Sequence, residues 1–145
     1  MKLPILWLVV ILGLDVALWP SSWAEENHET GIHHHPKAAA LKNPVKPTEA
    51  STSNGKALFT EHCATCHGPK TDGDSPVGKA LNPPAANLTD ANWKHGGTDG
   101  EMFMVITRGA LGTGMISFEK VLSEKDRWDL VNYIRSLGPQ KREAK

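Results

Sequence analysis

The first fourteen residues contain most of the continuous apolar sequence in the chain, with an unbroken run over residues 5–12. Asp15 interrupts the pattern before it reaches the roughly 20 residues that a membrane-spanning helix needs. Ser22 and Ala24 then form the small-x-small pattern of a cleavage site. This segment therefore predicts a signal peptide over residues 1–24.

The alternative for this segment is an uncleaved N-terminal anchor, because apolar residues resume at positions 16–19 after the single acid. We expect contact with a membrane only in that case. Under both interpretations the rest of the chain is exported, and we expect a periplasmic protein.

Beyond the signal, large apolar residues are scarce over residues 25–53, where His, Pro, Lys, Glu, Ser and Thr predominate. Such a segment cannot build a core, so it predicts a flexible linker. Within it, His28 and the run His33–His35 form a weak candidate site for copper, zinc or nickel. The alternative is a solvated linker whose histidines bind nothing specific.

Helical periodicity is confined to residues 54–140, which we interpret as one compact domain followed by a charged tail at 141–145. A first helix is predicted over residues 55–62 with Asn54 as its N-cap. A second begins at the capping box of Thr98 and Glu101, and a third follows Ser123 and ends at Gly138. No alternating strand pattern is found, so the sequence predicts an all-α fold.

Three or four short helices with long loops would enclose a thin core for a domain of this size. A flat, largely apolar cofactor would fill the middle. The charge balance adds an exclusion: 16 basic and 16 acidic residues leave no excess to neutralise phosphates, so a nucleic acid is a poor partner.

The two cysteines, Cys63 and Cys66, stand in the motif Cys63-Ala64-Thr65-Cys66-His67. A disulfide over so short a loop would restrain the unfolded chain very little, which favours a chemical role. Two thiols at this spacing bind covalently to the two vinyl groups of one haem and leave the next histidine beneath the iron. We therefore predict one covalent haem c with His67 as an axial ligand.

A second axial ligand must approach from the opposite face, and a methionine thioether there raises the potential. Met115 follows a glycine-rich stretch over residues 109–114, where glycine allows the backbone close to a flat cofactor. Met102 and Met104 lie in a helical pattern and are better explained as core residues. Met115 is the predicted sixth ligand, with a histidine or an open position as the alternatives.

The stretch from Gly55 to Leu137 resembles the class I monohaem c-type cytochromes of bacteria. The matching segments are GKALFTEHCATCHG, PVGKALNPPAANLTD, WKHGGTDGEMFMVITRGALGTGM and WDLVNYIRSL. The resemblance implies the class I cytochrome c fold, in which the first and last helices cross beside the haem through Gly55, Phe59 and Tyr133. It also implies electron transfer rather than catalysis, with transient contacts to a donor and an acceptor protein.

One position departs from that family, whose members commonly have a proline directly after the ligand methionine. Here the residue is Ile116, and proline would have stiffened the ligand loop. A labile Met115 would allow a haem enzyme or a ligand sensor, which is one alternative function. A thiol–disulfide oxidoreductase using the cysteine pair is another, although it expects strands that the chain lacks.

The resemblance also suggests residues that support the haem. A proline carbonyl after the motif accepts the axial histidine's N–H in the family, and Pro76 is the candidate here, with Pro83 and Pro84 competing. Trp93 is a candidate donor to a haem propionate, and packing explains it equally well. Arg108 is a weaker candidate for pairing with a propionate, because an exposed cation at the end of a helix is the more common role.

Overall fold

A computed structural model describes residues 36–90 and 92–138. The predictions for the signal peptide at residues 1–24, for the histidines at 28 and 33–35 and for the tail at 141–145 lie outside the described residues. In the described part the chain forms helices and no strands, which confirms the all-α prediction. None of these helices is both long and apolar enough to cross a membrane.

Six helices follow one another along the described part of the chain. They are α1 (Pro36–Ala39), α2 (Glu49–His62), α3 (Ala64–His67), α4 (Pro76–Ala80), α5 (Asp99–Arg108) and α6 (Glu124–Leu137). The largest contact between helices is that of α2 with α6, while α5 packs on α6 and carries α1 on another side. The predicted capping box is present at the start of α5, where Thr98 and Glu101 bond each other's backbone N–H groups.

The crossing of α2 and α6 forms the centre of the fold. A Cβ atom on Gly55 would overlap the backbone oxygen of Asp129, so only glycine permits this close approach. One turn further on, the rings of Phe59 and Tyr133 pack at 5.5 Å between centroids. The three residues that the family resemblance placed at the crossing therefore do meet there.

Helix α2 begins earlier than its sequence predicts. Its N-cap is Thr48, whose hydroxyl accepts the Ser51 N–H at 3.2 Å, and not Asn54. The first turns are polar and show no apolar period, which is why the pattern missed them. They are stabilised from outside the helix, because Ser51 and Asn54 both donate hydrogen bonds to Asp129 of α6.

Residues 36–48 are also part of the folded domain. Ala38 is buried, and its carbonyl oxygen lies against Gly100 at the start of α5. Asn43 donates a 2.8 Å hydrogen bond to Asn132, and Val45 packs against the core. The prediction of a flexible linker over 25–53 therefore fails for its described part, since small residues and amide hydrogen bonds attach it where composition indicated no core.

Candidate functional site

A cavity of about 390 Å³ lies between the helices, within the size range of ligand and cofactor sites. Its walls come from α2, α3, α5, α6 and the loops between them, and they are mostly apolar. The large apolar side chains in its lining include Phe59, Leu81, Val105, Ile106, Leu130 and Ile134. The helices thus leave a space in the core, as the small number of short helices in the sequence predicted.

The junction of α2 and α3 delivers the motif residues to this cavity. Cys63 caps α2, with its backbone N–H bonded to the Phe59 oxygen at 2.9 Å. The Cys63 oxygen in turn accepts the His67 N–H at 2.9 Å, which starts the short turn of α3. Cys63, Cys66 and His67 all line the cavity, so two thiols and one imidazole share its wall.

The electrostatics of Cys63 bear on the disulfide alternative. Burial, assisted by the neighbouring Cys66 thiol, raises the pKa of Cys63 from 9.0 to about 11. Thiols that exchange disulfides have a lowered pKa, because the thiolate is the nucleophile. Cys63 is therefore protonated at neutral pH, and its environment does not favour thiol–disulfide exchange.

A backbone carbonyl holds the ring of His67. Its Nδ1 lies 2.9 Å from the oxygen of Ala86, in the tautomer that donates this hydrogen bond and leaves Nε2 free to bind a metal. The acceptor is thus Ala86, and the prediction of Pro76 is wrong: Pro76 is the first residue of α4. Because every residue carries a carbonyl, the side-chain sequence had no signal for Ala86.

Met115 lines the same cavity, and it lies in a loop that is closed by its own hydrogen bonds. The Ala110 N–H donates to the Met115 oxygen at 3.1 Å, and the Met115 N–H donates to the Thr113 hydroxyl at 3.1 Å. Gly109 has φ +79°, and a Cβ there would lie 2.6 Å from the Met115 oxygen. The loop is therefore braced without a proline, and Ile116, which follows, is 65% exposed.

Met102 also reaches the cavity wall, although it is buried in the core on α5, whereas Met104 is not among the lining residues. Two histidines outside the motif line the cavity as well, His62 and His95. His62 packs against Phe118 with 6.2 Å between ring centroids. By position in the cavity lining alone, one other thioether and two imidazoles are candidates for the sixth ligand besides Met115.

Several polar side chains of the lining come from one loop, residues 92–95, which includes Trp93 and Lys94. Arg135, which sequence analysis did not single out, ties the residues directly after this loop to α6. Its Nε donates to Asp99 at 2.7 Å and its Nη2 to the Gly97 oxygen at 2.5 Å. Arg108 is exposed and is not brought to the cavity, unlike Trp93.

The profile of the cytochrome c family matches residues 52–138, and the chain belongs to this family. A curated relative is the cbb3-type cytochrome c oxidase subunit CcoP of Azospirillum brasilense, 33% identical over 89 residues. That match covers 61% of this chain and 29% of the relative, so the chain spans under a third of its length.

Two solved structures share the fold. A chain of the Kuenenia stuttgartiensis reducing HAO-like protein complex Kustc0457/Kustc0458 superposes with a TM-score of 0.62 at 31% identity, covering 70% of this chain and 49% of that one. Cytochrome CL of Methylophaga aminisulfidivorans gives 0.54 at 22% identity, covering 63% and 60%. The likeness to cytochrome CL concerns the fold alone.

The protein is thus a class I c-type cytochrome, an electron-transfer domain whose cofactor is haem c, covalently bound. A single matched domain is consistent with one haem. The structure fits such a group in two respects. Its cavity has an apolar wall, and that wall carries two thiols, an imidazole with a free Nε2 and thioether sulfurs.

Proposed function

We propose that the chain is a periplasmic monohaem carrier that passes one electron at a time between redox proteins. Cys63 and Cys66 would hold the haem by thioether bonds, and His67 and Met115 would be the axial ligands. The observation that supports this most is that all four side chains line one apolar cavity. When bound, the haem supplies an iron that alternates between the ferric and ferrous states.

The assignment of Met115 rests on its loop. Met102 is fixed in the core by its helix, whereas Met115 follows glycines that let the backbone approach the cavity. The hydrogen bonds among Ala110, Thr113 and Met115 hold the backbone that carries the Met115 side chain. A braced ligand leaves no open coordination position for substrate, which supports a carrier over a haem enzyme or ligand sensor.

The polar loop at residues 92–95 would serve the carboxylates of the haem. Lys94 offers a cation there, and Trp93 is half-buried with an indole N–H able to donate. The bonds from Arg135 to Asp99 and Gly97 attach the chain directly after this loop to α6. The polar end of the cofactor would thus meet the polar end of the cavity.

Electron donors and acceptors would meet the haem where the cavity opens, over a small transient interface. The similarity to CcoP subunits of cbb3-type oxidases supports redox protein complexes as the partners. The predicted export signal supports a periplasmic setting. Contact with a membrane is expected only if that segment is retained.

The haem ligands can be tested on the purified holoprotein with two methionine variants. Met115→Ala should abolish the near-infrared band that methionine gives with ferric iron, and it should lower the midpoint potential, because a thioether stabilises ferrous iron. Met102→Leu is the matched control, since it changes the other methionine of the lining and should keep the band.

Covalent attachment is tested by the pyridine haemochrome spectrum of the wild type and of Cys63→Ser and Cys66→Ser. Each serine variant should lose one of the two thioether bonds, which shifts the absorption maximum.

A near-infrared band that survives in Met115→Ala, or that disappears in Met102→Leu, would show that the sixth ligand has been assigned wrongly.

A further inference from the structure

The carbonyl that faces His67 belongs to a short segment that is hydrogen-bonded on both sides. The Ala85 N–H donates to the Gly78 oxygen at 2.9 Å, and the Leu88 N–H donates to the Thr71 oxygen at 2.8 Å. Ala86, whose oxygen accepts the bond from His67, lies between these two points. The position of the acceptor is therefore set by backbone bonds to residues outside its own segment.

Thr71 is the unusual member of this arrangement. Its φ is +61°, and it is the one residue other than glycine with a positive φ among those described. A β-branched side chain disfavours this left-handed conformation, yet Thr71 is 1% exposed and adopts it. Such a conformation persists only where the surroundings hold it in place.

Two further bonds hold Thr71. Its N–H donates to the Gly68 oxygen at 3.0 Å, and its hydroxyl donates to the Lys70 oxygen at 2.5 Å. The left-handed turn leaves the Thr71 carbonyl directed at Leu88. The hydroxyl, which valine lacks, thus supports the backbone conformation that the Leu88 bond requires.

We propose that Thr71 is a positioning residue for His67. By fixing Leu88, it keeps the Ala86 carbonyl in hydrogen-bonding contact with Nδ1, and this contact sets the basicity of the ring as a ligand. A firmly held acceptor makes the imidazole a stronger donor, which favours ferric iron and lowers the potential. The inference rests on the proposed function, in which His67 is an axial ligand.

The test compares two substitutions at Thr71 in the holoprotein. Thr71→Val keeps the shape but removes the hydroxyl, so the left-handed conformation loses its support and the Ala86 acceptor loosens. The His67 Nδ1–H should then exchange with solvent roughly 2- to 10-fold faster by NMR, as expected for one weakened hydrogen bond. The midpoint potential should shift upward.

Thr71→Gly is the variant that conserves the backbone conformation, because glycine adopts a positive φ without strain. It should keep the wild-type potential and the slow exchange of the His67 proton, even though a buried side chain is lost. Thr107→Val is a second control: it removes a buried hydroxyl that donates to the Phe103 oxygen at 2.7 Å on α5, and neither readout should change.

A purely structural role would give a different result. Thr71→Val would then lower the free energy of unfolding and leave the potential and the exchange rate as in the wild type, which would overturn the proposal. If Thr71→Val fails to fold, Thr71→Ala replaces it, since alanine lacks the hydroxyl but is less crowded at positive φ. If His67 does not bind the haem iron in the wild-type holoprotein, the proposed function fails together with this inference.

Discussion

Asp129 is a fully buried carboxylate at the centre of the helix crossing. It accepts hydrogen bonds from Ser51 at 2.6 Å and from Asn54 and Lys125 at 2.7 Å each. Burial by itself raises the pKa of Asp129, but the bonds from Lys125, Ser51 and Asn54 outweigh it and lower the pKa below the ordinary 3.8. The carboxylate therefore stays ionised in the folded protein.

This pairing makes stability depend on pH. Because the folded pKa lies below the unfolded one, the contribution of Asp129 is complete above 3.8 and is lost as the pH falls through the folded value. Asp129→Asn should lower the free energy of unfolding at pH 7 by about 1–3 kcal/mol, and it should flatten the loss on acidification. Denaturant titrations of the holoprotein at neutral and acidic pH measure both effects.

Glu119→Gln provides the control for this experiment, since Glu119 is an exposed acid outside the crossing. It should leave the acid dependence as in the wild type. An Asp129→Asn variant with unchanged stability at pH 7 would show that the three hydrogen bonds only compensate the burial of the charge.

At the scale of single residues, the sequence predicted the functional side chains well and their backbone hydrogen-bond partners poorly. Cys63, Cys66, His67 and Met115 were singled out by chemistry and spacing, and the structure brings them to one cavity. Ala86 was missed because its contribution is a carbonyl, which no side chain reveals. Thr71 was missed because its φ results from contacts with segments far along the chain.

At the scale of the helices, the close approach of α2 and α6 depends on Gly55. The overlap that a Cβ would make with the Asp129 backbone leaves no room for alanine without separating the helices. Gly55→Ala should therefore lower the free energy of unfolding by about 1–3 kcal/mol, despite the better helix propensity of alanine. Thermal unfolding of the holoprotein measures this change.

The matched control for that substitution is Lys56→Ala, one position further along the exposed side of α2. It should leave the stability within the small range typical of surface changes. A Gly55→Ala variant as stable as Lys56→Ala would mean that the crossing yields easily, contrary to what the close contact of Gly55 with the Asp129 backbone predicts.

The N-terminal residues that dock on α5 and α6 permit another prediction at this scale. Deleting residues 36–47 removes the buried Ala38, the contact of Val45 and the Asn43–Asn132 hydrogen bond. The free energy of unfolding should fall by about 1–3 kcal/mol. The near-infrared ligand band should remain, because none of these residues lines the cavity.

The same residues show where periodicity succeeds and fails for whole elements. Helices α5 and α6 were predicted because their caps and apolar faces are local features. The docked residues and the first turns of α2 were missed, because amide and hydroxyl groups such as those of Asn43 and Ser51 gain their role only from partners on α6. If deleting residues 36–47 left the free energy of unfolding unchanged, those residues would behave as the linker that the sequence predicted.

For the whole molecule, a formal net charge of zero and a largely apolar cavity lining indicate contacts that depend little on charge. Ile116 belongs to that lining and is 65% exposed. Ile116→Lys should slow electron self-exchange between oxidised and reduced protein by roughly 3- to 10-fold at low salt, since like charges would face each other. Added salt should restore part of the rate.

Self-exchange can be followed by NMR line broadening in half-reduced samples. Val121→Lys introduces the same charge on a similarly exposed aliphatic residue outside the cavity lining, and it should have a much smaller effect. Equal slowing by the two variants would place the contact surface elsewhere. The ligand band of Ile116→Lys must match that of the wild type, because Met115 is its neighbour.

The crossing of α2 and α6 joins residues that are far apart along the chain. Ser51 and Asp129 are 78 positions apart, so the entropy of closing that long loop opposes the crossing until the last helix is present. Helix α2, α3 and the two cysteines are near neighbours and need no such closure. We therefore expect the cavity to close only when α6 docks on α2, so that a large cofactor can enter until that step.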